Sequence, residues 1–150
     1  ILGNDQGRDL YKKKLIRLAE QYRLTKQIRF IDHCKDMPLA YKISDIVISA
    51  SIEPEAFGRV SVEAQAMNRI IVASDHGGSY ETIINGKTGM LYSNNNSESL
   101  SNTLDFALQM DIESRKKLGE ASRNHVSSKY KLEYMQESTI KLYKELILMD

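Results

Sequence analysis

Cysteine is nearly missing from this chain of 150 residues. Cys34 stands alone, so no intrachain disulfide can form and nothing points to an oxidising compartment. Histidine is sparse as well: His33, His76 and His125 are too scattered to suggest a metal site, and no Asp-x-Asp motif offers paired carboxylates to a cation. No apolar run approaches the ~20 residues that a bilayer-spanning helix needs, and no signal peptide is visible. No Gly-x-Gly-x-x-Gly opens a helix, which argues against a dinucleotide-binding dehydrogenase. There is no internal repeat, and only the turn Asn94-Asn95-Asn96-Ser97 is compositionally biased. Net charge is small too. Lys and Arg number 21 against 20 Asp and Glu, a formal +1, so the chain is not built mainly to neutralise nucleic-acid phosphates.

What is present is the profile of a soluble globular domain, with 41% hydrophobic and 27% charged residues and enough length to bury a core. The charge balance is uneven along the chain. Arg8, Lys12, Lys13, Lys14, Arg17, Arg23, Lys26 and Arg29 make the first thirty residues basic. A solvated helix face is the first reading of that run, and an anionic partner or membrane surface the second. The chain opens at Ile1 without a methionine, directly into a strand-like Ile-Leu-Gly, which reads as a cut inside a larger polypeptide.

Short apolar runs alternate with helical patterns, the mark of an α/β fold with a parallel sheet. Ile1-Leu2-Gly3 ends one strand. Leu15, Leu18, Ala19 and Tyr22 recur at helical spacing between Asp9 and Tyr22. Ile28 to Ile31 predicts a second strand, with His33 to Met37 as the loop at its carboxyl end, and Pro38 opens a short helix. The run Asp45 to Ala50 predicts a strand covered on both faces. Arg59 to Met67 predicts a helix closed by Asn68 in a left-handed conformation. Ile70 to Ala73 is a buried strand, Ser79 to Ile84 a short helix ended by Asn85-Gly86, and Gly89 to Tyr92 a last strand. The asparagine turn caps a helix bearing Leu100, Leu104, Ala107 and Leu108. Helices over Glu113 to Lys129 and Leu132 to Met149 follow. In the last, Met135, Thr139, Leu142, Tyr143 and Leu146 share one stripe, read first as core.

The chemistry concentrates in Glu53 to Asp75, EPEAFGRVSVEAQAMNRIIVASD. Ligands of an open α/β sheet sit beyond the carboxyl ends of its strands, and Ser51 to Arg59 leaves such an end to enter a helix. The first amides of that helix and its positive dipole end form an anion site. Gly58 removes a side chain that would keep a diphosphate away. Glu55 precedes the helix and Glu63 lies about one turn inside it, so two carboxylates can hold hydroxyl pairs on either side of a bound phosphate. The plain alternative is that both glutamates cap or solvate the helix. Gly77-Gly78 reads first as a tight turn, Glu81 as either a helix-start charge or a ligand contact, and Lys87 and Thr88 as turn residues.

Glu55, Phe57, Gly58 and Glu63, then Gly77, Gly78 and Glu81, then Asn85, Gly86, Thr88 and Gly89, occur in the order of a known pattern. The chain closely resembles the C-terminal domain of the family-four glycosyltransferases, retaining enzymes of GT-B architecture. Weaker matches cover Ile1 to Asp5, the strand Asp45 to Ser51, Arg123 and the helix bearing Tyr143, so nearly the whole chain is included. Asn68 and Ile70 stand where members of the family usually carry glycine and proline; an asparagine serves a left-handed cap nearly as well.

The resemblance implies a Rossmann-like parallel sheet with helices on both faces. Residues 1–150 would be most of one nucleotide-sugar-binding domain of a two-domain enzyme, without its first strand-helix unit and the Gly-Arg…Lys-Gly segment that clamps the diphosphate. It implies binding of a nucleotide-diphosphate sugar for retaining transfer to a glycan or lipid-linked acceptor. Glu55 is expected at the donor sugar, where positioning ranks ahead of a catalytic nucleophile role. Ala56, Phe57, Gly58, Arg59 and Val60 are expected along the sugar and diphosphate, and Glu63 at the ribose. His33, Cys34, Lys35 and Met37 would form the loop at the base. No metal and no cofactor are expected. The Pro-Glu-Ala-Phe-Gly-Arg string looks most like bacterial enzymes of lipopolysaccharide and envelope synthesis. That implies a cytoplasmic enzyme, with peripheral association at the inner face of the membrane and an N-terminal acceptor domain as partners of the parent. The chain alone is expected to bind weakly without turnover, and an exposed part of the last helix would favour self-association. A nucleotide-sugar epimerase of GT-B fold and a non-catalytic donor-binding or assembly domain are the alternatives.

Overall fold

A computed structural model describes residues 1–3, 7 and 9–148. Asp5, Arg8 and Met149, used in the sequence reading, lie outside the described residues. The chain divides into two compact units, Ile1–Ala40 and Tyr41–Asp150.

In the first unit α1 runs from Asp9 to Gln21 and buries Ala19. It stops where Arg23 takes a left-handed φ of 56° and the Leu24 amide reaches back to the Ala19 carbonyl at 2.7 Å, a Schellman-type closure. Lys12 pairs with Asp32 at 2.6 Å. The strand expected over Ile28–Ile31 is reduced to an isolated parallel bridge, Leu2 to Ile31. Among the described residues only the Ile1–Gly3 stretch pairs with it, through Ile31 N to Ile1 O and Gly3 N to Ile31 O, too few bonds for a ladder. Helix α2, Met37–Lys42, straddles the division between the units; the Asp36 carboxylate caps it by accepting from the Leu39 amide at 3.0 Å.

The second unit is an α/β layer structure. Strands β1 (Ile46–Ser49), β2 (Ile70–Ser74) and β3 (Met90–Tyr92) form a parallel sheet in that order, with Ile46 opposite Ile70 and Val72 opposite Met90. The helices α3 (Arg59–Ala66), α4 (Ser79–Thr82), α5 (Ser97–Gln109), α6 (Ile112–Lys129) and α7 (Leu132–Ile147) follow the chain order around it. Every residue of β2 is buried. Ile70 and Val72 join Met90, Tyr92, Ala107 and Leu118 in one core cluster, while Ile71 and Ala73, which alternate to the other face, are equally closed off. Each of the larger aliphatic side chains among these contributes about 1.5–3 kcal/mol by leaving water, so β2 is the element on which the unit is assembled.

Two expectations fail on burial. Strand β1 is not covered on both faces: Ile48 is 45% exposed, and among the described residues β1 stands at the edge of the sheet with β2 as its one ladder partner. The stripe on α7 is not core: the helix buries no residue, and Met135, Leu142, Tyr143 and Leu146 are all more than half exposed. The caps fare better. Asn68 takes φ 56° after α3, and the Asn96 side chain accepts from the Ser99 amide at the start of α5. Asp111, a cap the sequence reading did not name, accepts from the Ser114 amide at the start of α6. No helix among the described residues is long and apolar enough to cross a membrane.

Candidate functional site

Parallel strands place all their carboxyl ends at one rim, here marked by Ser49, Ser74 and Tyr92. The loops leaving that rim are bonded to one another. Ser74 donates its hydroxyl to the Ser51 carbonyl at 2.8 Å, and the Asp75 amide bonds the Tyr92 carbonyl at 2.9 Å. The Asn94 amide donates to Asp75 Oδ1 at 2.7 Å, and its side-chain Nδ2 donates to the Ile52 carbonyl. His76 Nε2 lies 2.8 Å from that same carbonyl. Hydrogen bonding to its own and neighbouring backbone groups raises the His76 pKa above the ordinary histidine value.

The segment from Glu55 to Gly58 is shaped by glycines. Gly58 is the N-cap of α3 and adopts φ 79°, a left-handed conformation that costs any residue with a Cβ. A Cβ there would meet Gly78, Ser61 and Thr82 at 3.8 Å, ordinary contact within the protein. Within the protein, conformation rather than crowding is therefore what demands this glycine. The tighter constraint lies across the loop at Gly77-Gly78. A Cβ on Gly77 would sit 2.7 Å from the Glu55 carbonyl oxygen, and one on Gly78 only 2.4 Å from the Phe57 carbonyl carbon and oxygen. The Gly78 amide donates to the Glu55 carbonyl at 2.8 Å. The turn reading of this pair thus has a specific content: two backbones touch, and the second presses the Glu55–Phe57 segment into place.

The two glutamates are held differently. Glu55, half-buried, accepts from the Ser51 hydroxyl through Oε1. Glu63, the fifth residue of α3, accepts from the Tyr41 hydroxyl at 2.8 Å through Oε2 and from Arg59 at 2.9 and 3.3 Å through Oε1. Tyr41 is buried, and burial first, then its bond to Glu63, pushes its pKa well above the usual phenol value. Glu63 is thus no freely solvated helix-face acid. Phe57 packs edge-on against Tyr130, ring centroids 5.5 Å apart, and Tyr130 packs edge-on against His125. The Tyr130 hydroxyl donates to the Glu81 carbonyl at 2.7 Å, fastening the end of α6 beside the loop. Glu81 itself stands in the first turn of α4.

Glu55, Phe57, Gly58 and Gly77-Gly78 are thereby brought together, with Arg59 and Glu63 following on α3. Ala56 is exposed and Val60 half-buried. His33, Cys34, Lys35 and Met37 belong to the first unit, where the Cys34 thiol bonds the Asp36 carbonyl at 3.3 Å. Sequence reasoning missed Tyr41, twenty-two residues before its carboxylate partner. It also missed Gln65, wholly buried, whose Nε2 donates to the Ser61 and Thr82 carbonyls at 3.1 and 2.9 Å and so ties α3 to α4. The available signal for Gln65 was an amide on the apolar face of SVEAQAM. A groove of about 490 Å³ lies between β3 and α5, lined by Asn85, Leu91, Asn102 and Phe106 among others, and shares no residue with the glutamate loop. No group of three His, Cys, Asp or Glu side chains suited to a metal occurs among the described residues.

The family described as Glycosyl transferases group 1 matches residues 1–125. The chain belongs to that family. A glycosyltransferase from Rickettsia africae has the same fold at a TM-score of 0.93 and 35% identity, over 97% of this chain and 39% of that one. A D-inositol 3-phosphate glycosyltransferase of Corynebacterium urealyticum is 28% identical over 152 residues, 99% of this chain and 35% of the relative. Anabaena Alr3699/HepE, whose structure is in complex with UDP-glucose, shares the fold at a TM-score of 0.90 and 23% identity, over 96% of this chain and 40% of its own. The chain therefore spans somewhat over a third of the length of these relatives. Its parallel sheet with flanking helices is the C-terminal GT-B architecture of group 1 glycosyltransferases.

Proposed function

We propose that this chain binds the nucleotide-diphosphate sugar donor of a retaining glycosyltransferase. The observation that carries the reading is the course of one segment. It leaves the carboxyl end of β1, passes Glu55, turns through left-handed Gly58 and enters α3, on which Glu63 is the fifth residue. The donor's diphosphate lies at the amides of Phe57, Gly58, Arg59 and Val60, which a helix dipole favours for an anion. Glu55 accepts from the sugar hydroxyls and Glu63 from the ribose diol, each as a carboxylate with two acceptor oxygens. The UDP-glucose complex of the Anabaena neighbour supports a nucleotide sugar as the ligand class.

When the glycosidic bond to the diphosphate breaks, negative charge grows on the departing phosphate. Fixed donors aimed at that oxygen lower the barrier more than they stabilise the ground state. The chain's part in transfer is therefore to seat the leaving group and orient the sugar through Glu55. The incoming hydroxyl attacks from the same face, which retains the anomeric configuration. A glycan or lipid-linked acceptor of the bacterial envelope is proposed on the Pro-Glu-Ala-Phe-Gly-Arg string.

Calorimetric titration with UDP, GDP and ADP, and with the matching sugar donors, tests the reading. Glu63→Gln is expected to weaken the nucleotide that binds by ~1–3 kcal/mol. Glu55→Gln leaves the bare diphosphate almost unaffected and weakens the sugar-bearing donor. An unchanged affinity in Glu63→Gln would return Glu63 to a purely structural role.

A further inference from the structure

Glu63 has two partners of opposite permanence. Tyr41 is 5% exposed and gives Oε2 a hydroxyl proton at 2.8 Å. Its raised pKa keeps that proton in place throughout the physiological range. Arg59 has an 83% exposed side chain and grips Oε1 with Nη2 at 2.9 Å and Nε at 3.3 Å, one turn along the same helix. Exposed pairs of this spacing contribute little to stability and exchange readily with water or another anion. A phenol clamped by packing does not leave. Arg59 is also the first residue of α3, so its guanidinium springs from the turn whose amides face an incoming anion.

We propose that Tyr41 is a positioning residue that holds the Glu63 carboxylate by Oε2, and that Arg59 is a displaceable counter-ion on Oε1 which moves to the donor's diphosphate as the ribose diol takes its place. The inference rests on the reading of Glu63 as the ribose acceptor and adds how that acceptor is prepared. With Oε2 fixed by Tyr41, the carboxylate plane keeps one orientation when the salt bridge opens. Arg59 trades a carboxylate for a more highly charged phosphate, on which its planar fork can also seat two hydrogen bonds. A nucleoside without phosphates must open the Arg59 pair and offers the guanidinium nothing in return. A nucleoside diphosphate supplies both replacements at once. Occupation of the phosphate end and of the ribose end is thereby coupled through one side chain.

The test uses the chain and its Tyr41→Phe, Arg59→Gln and Glu63→Gln variants, titrated with UDP, GDP and ADP, their 2′,3′-dideoxy counterparts and the parent nucleosides. Wild type is expected to prefer the ribose form of its diphosphate about tenfold or more, the worth of a hydrogen bond to a charged acceptor. Tyr41→Phe should cut that preference several-fold while leaving the dideoxy affinity and the melting temperature in place, a pattern that loss of packing alone does not give. Arg59→Gln should weaken the diphosphate several-fold and leave the nucleoside unchanged or tighter. If Tyr41→Phe keeps the full ribose preference while Glu63→Gln abolishes it, the positioning role is overturned and the ribose reading stands. Equal weakening of ribose and dideoxy forms in Tyr41→Phe overturns it too. Parallel losses for nucleoside and diphosphate in Arg59→Gln overturn the exchange. Absence of any ribose preference in wild type, or of nucleotide binding, overturns the ribose reading and this inference with it.

Discussion

A single methyl group at Gly78 should disturb the Glu55–Gly58 loop more thoroughly than one at Gly58, although Gly58 stands inside that loop. An alanine Cβ at 78 falls 2.4 Å from both the carbonyl carbon and oxygen of Phe57 and 2.7 Å from its Cα, where contacts of 3.4 Å or more are ordinary. Backbone must therefore move by about 1 Å. No flexible side chain is available to absorb the overlap, so an overpacking cost of roughly 1–3 kcal/mol applies. The movement also stretches the bond from the Gly78 amide to the Glu55 carbonyl, 2.8 Å in the native loop, which adds about 0.5–1.5 kcal/mol. The sum, about 2–4 kcal/mol, lowers the melting temperature on the order of 10 °C for a domain of this size. Gly58→Ala meets no overlap and carries only the left-handed backbone cost of roughly 1–2 kcal/mol. Urea denaturation gives the two stabilities, and nucleotide titration at a temperature where all variants are folded gives the site. Gly78→Ala should be the less stable variant and the weaker binder. Equal midpoints for Gly78→Ala and wild type, with donor affinity intact, would refute the claim that the two backbones press together.

Gln65→Ala should cost about 2–4 kcal/mol in the same denaturation experiment, since it leaves a void at a wholly buried position and removes the donor from the Thr82 carbonyl. His125 gives a pH-dependent counterpart. Burial, and secondarily Lys129, lowers its pKa in the folded state. Below about pH 6.5 the unfolded chain therefore takes up a proton that the folded one resists. Stability falls as the pH drops from there toward the folded value, and His125→Gln should flatten that window in melting curves at pH 7.5 and 5.5. His76 titrates in the opposite sense, its raised pKa giving stability that is present below the unfolded value and lost as pH rises through the folded one. A His76→Gln control keeps the two apart, and an unaltered acid slope in His125→Gln would count against the buried-ring account.

Local signals were the readable ones. Asn68 and Asn96 announced a left-handed stop and a helix cap by residue type alone, and both take those roles. The Ile-Ile-Val-Ala run announced the central strand. DIVISA looked the same on paper, yet Ile48 faces outward, because apolar content does not say whether a strand has one neighbour or two. The α7 stripe misled for a related reason: helical periodicity marks a face and leaves open whether anything covers it. At the site, the motif residues could be named only through the ordered strings that carry the family resemblance, whereas Tyr41 reaches Glu63 because the chain folds back over twenty-two positions. The role of Gly77-Gly78 was likewise invisible until the Glu55–Phe57 backbone lay against it.

The open state of α7 sets how that helix must behave. With sixteen residues and none of them buried, its order comes from its own turns, a length at which helix and coil are nearly balanced in water. It also lies beyond the residues that the family match spans. Amide protons from Leu132 to Ile147 should then exchange at rates close to those of a free peptide, while those of β2 hold until the whole domain opens. One chain would thus show the two extremes of protection side by side, with the boundary near Tyr130, where the end of α6 is bonded to the Glu81 carbonyl and packs against Phe57.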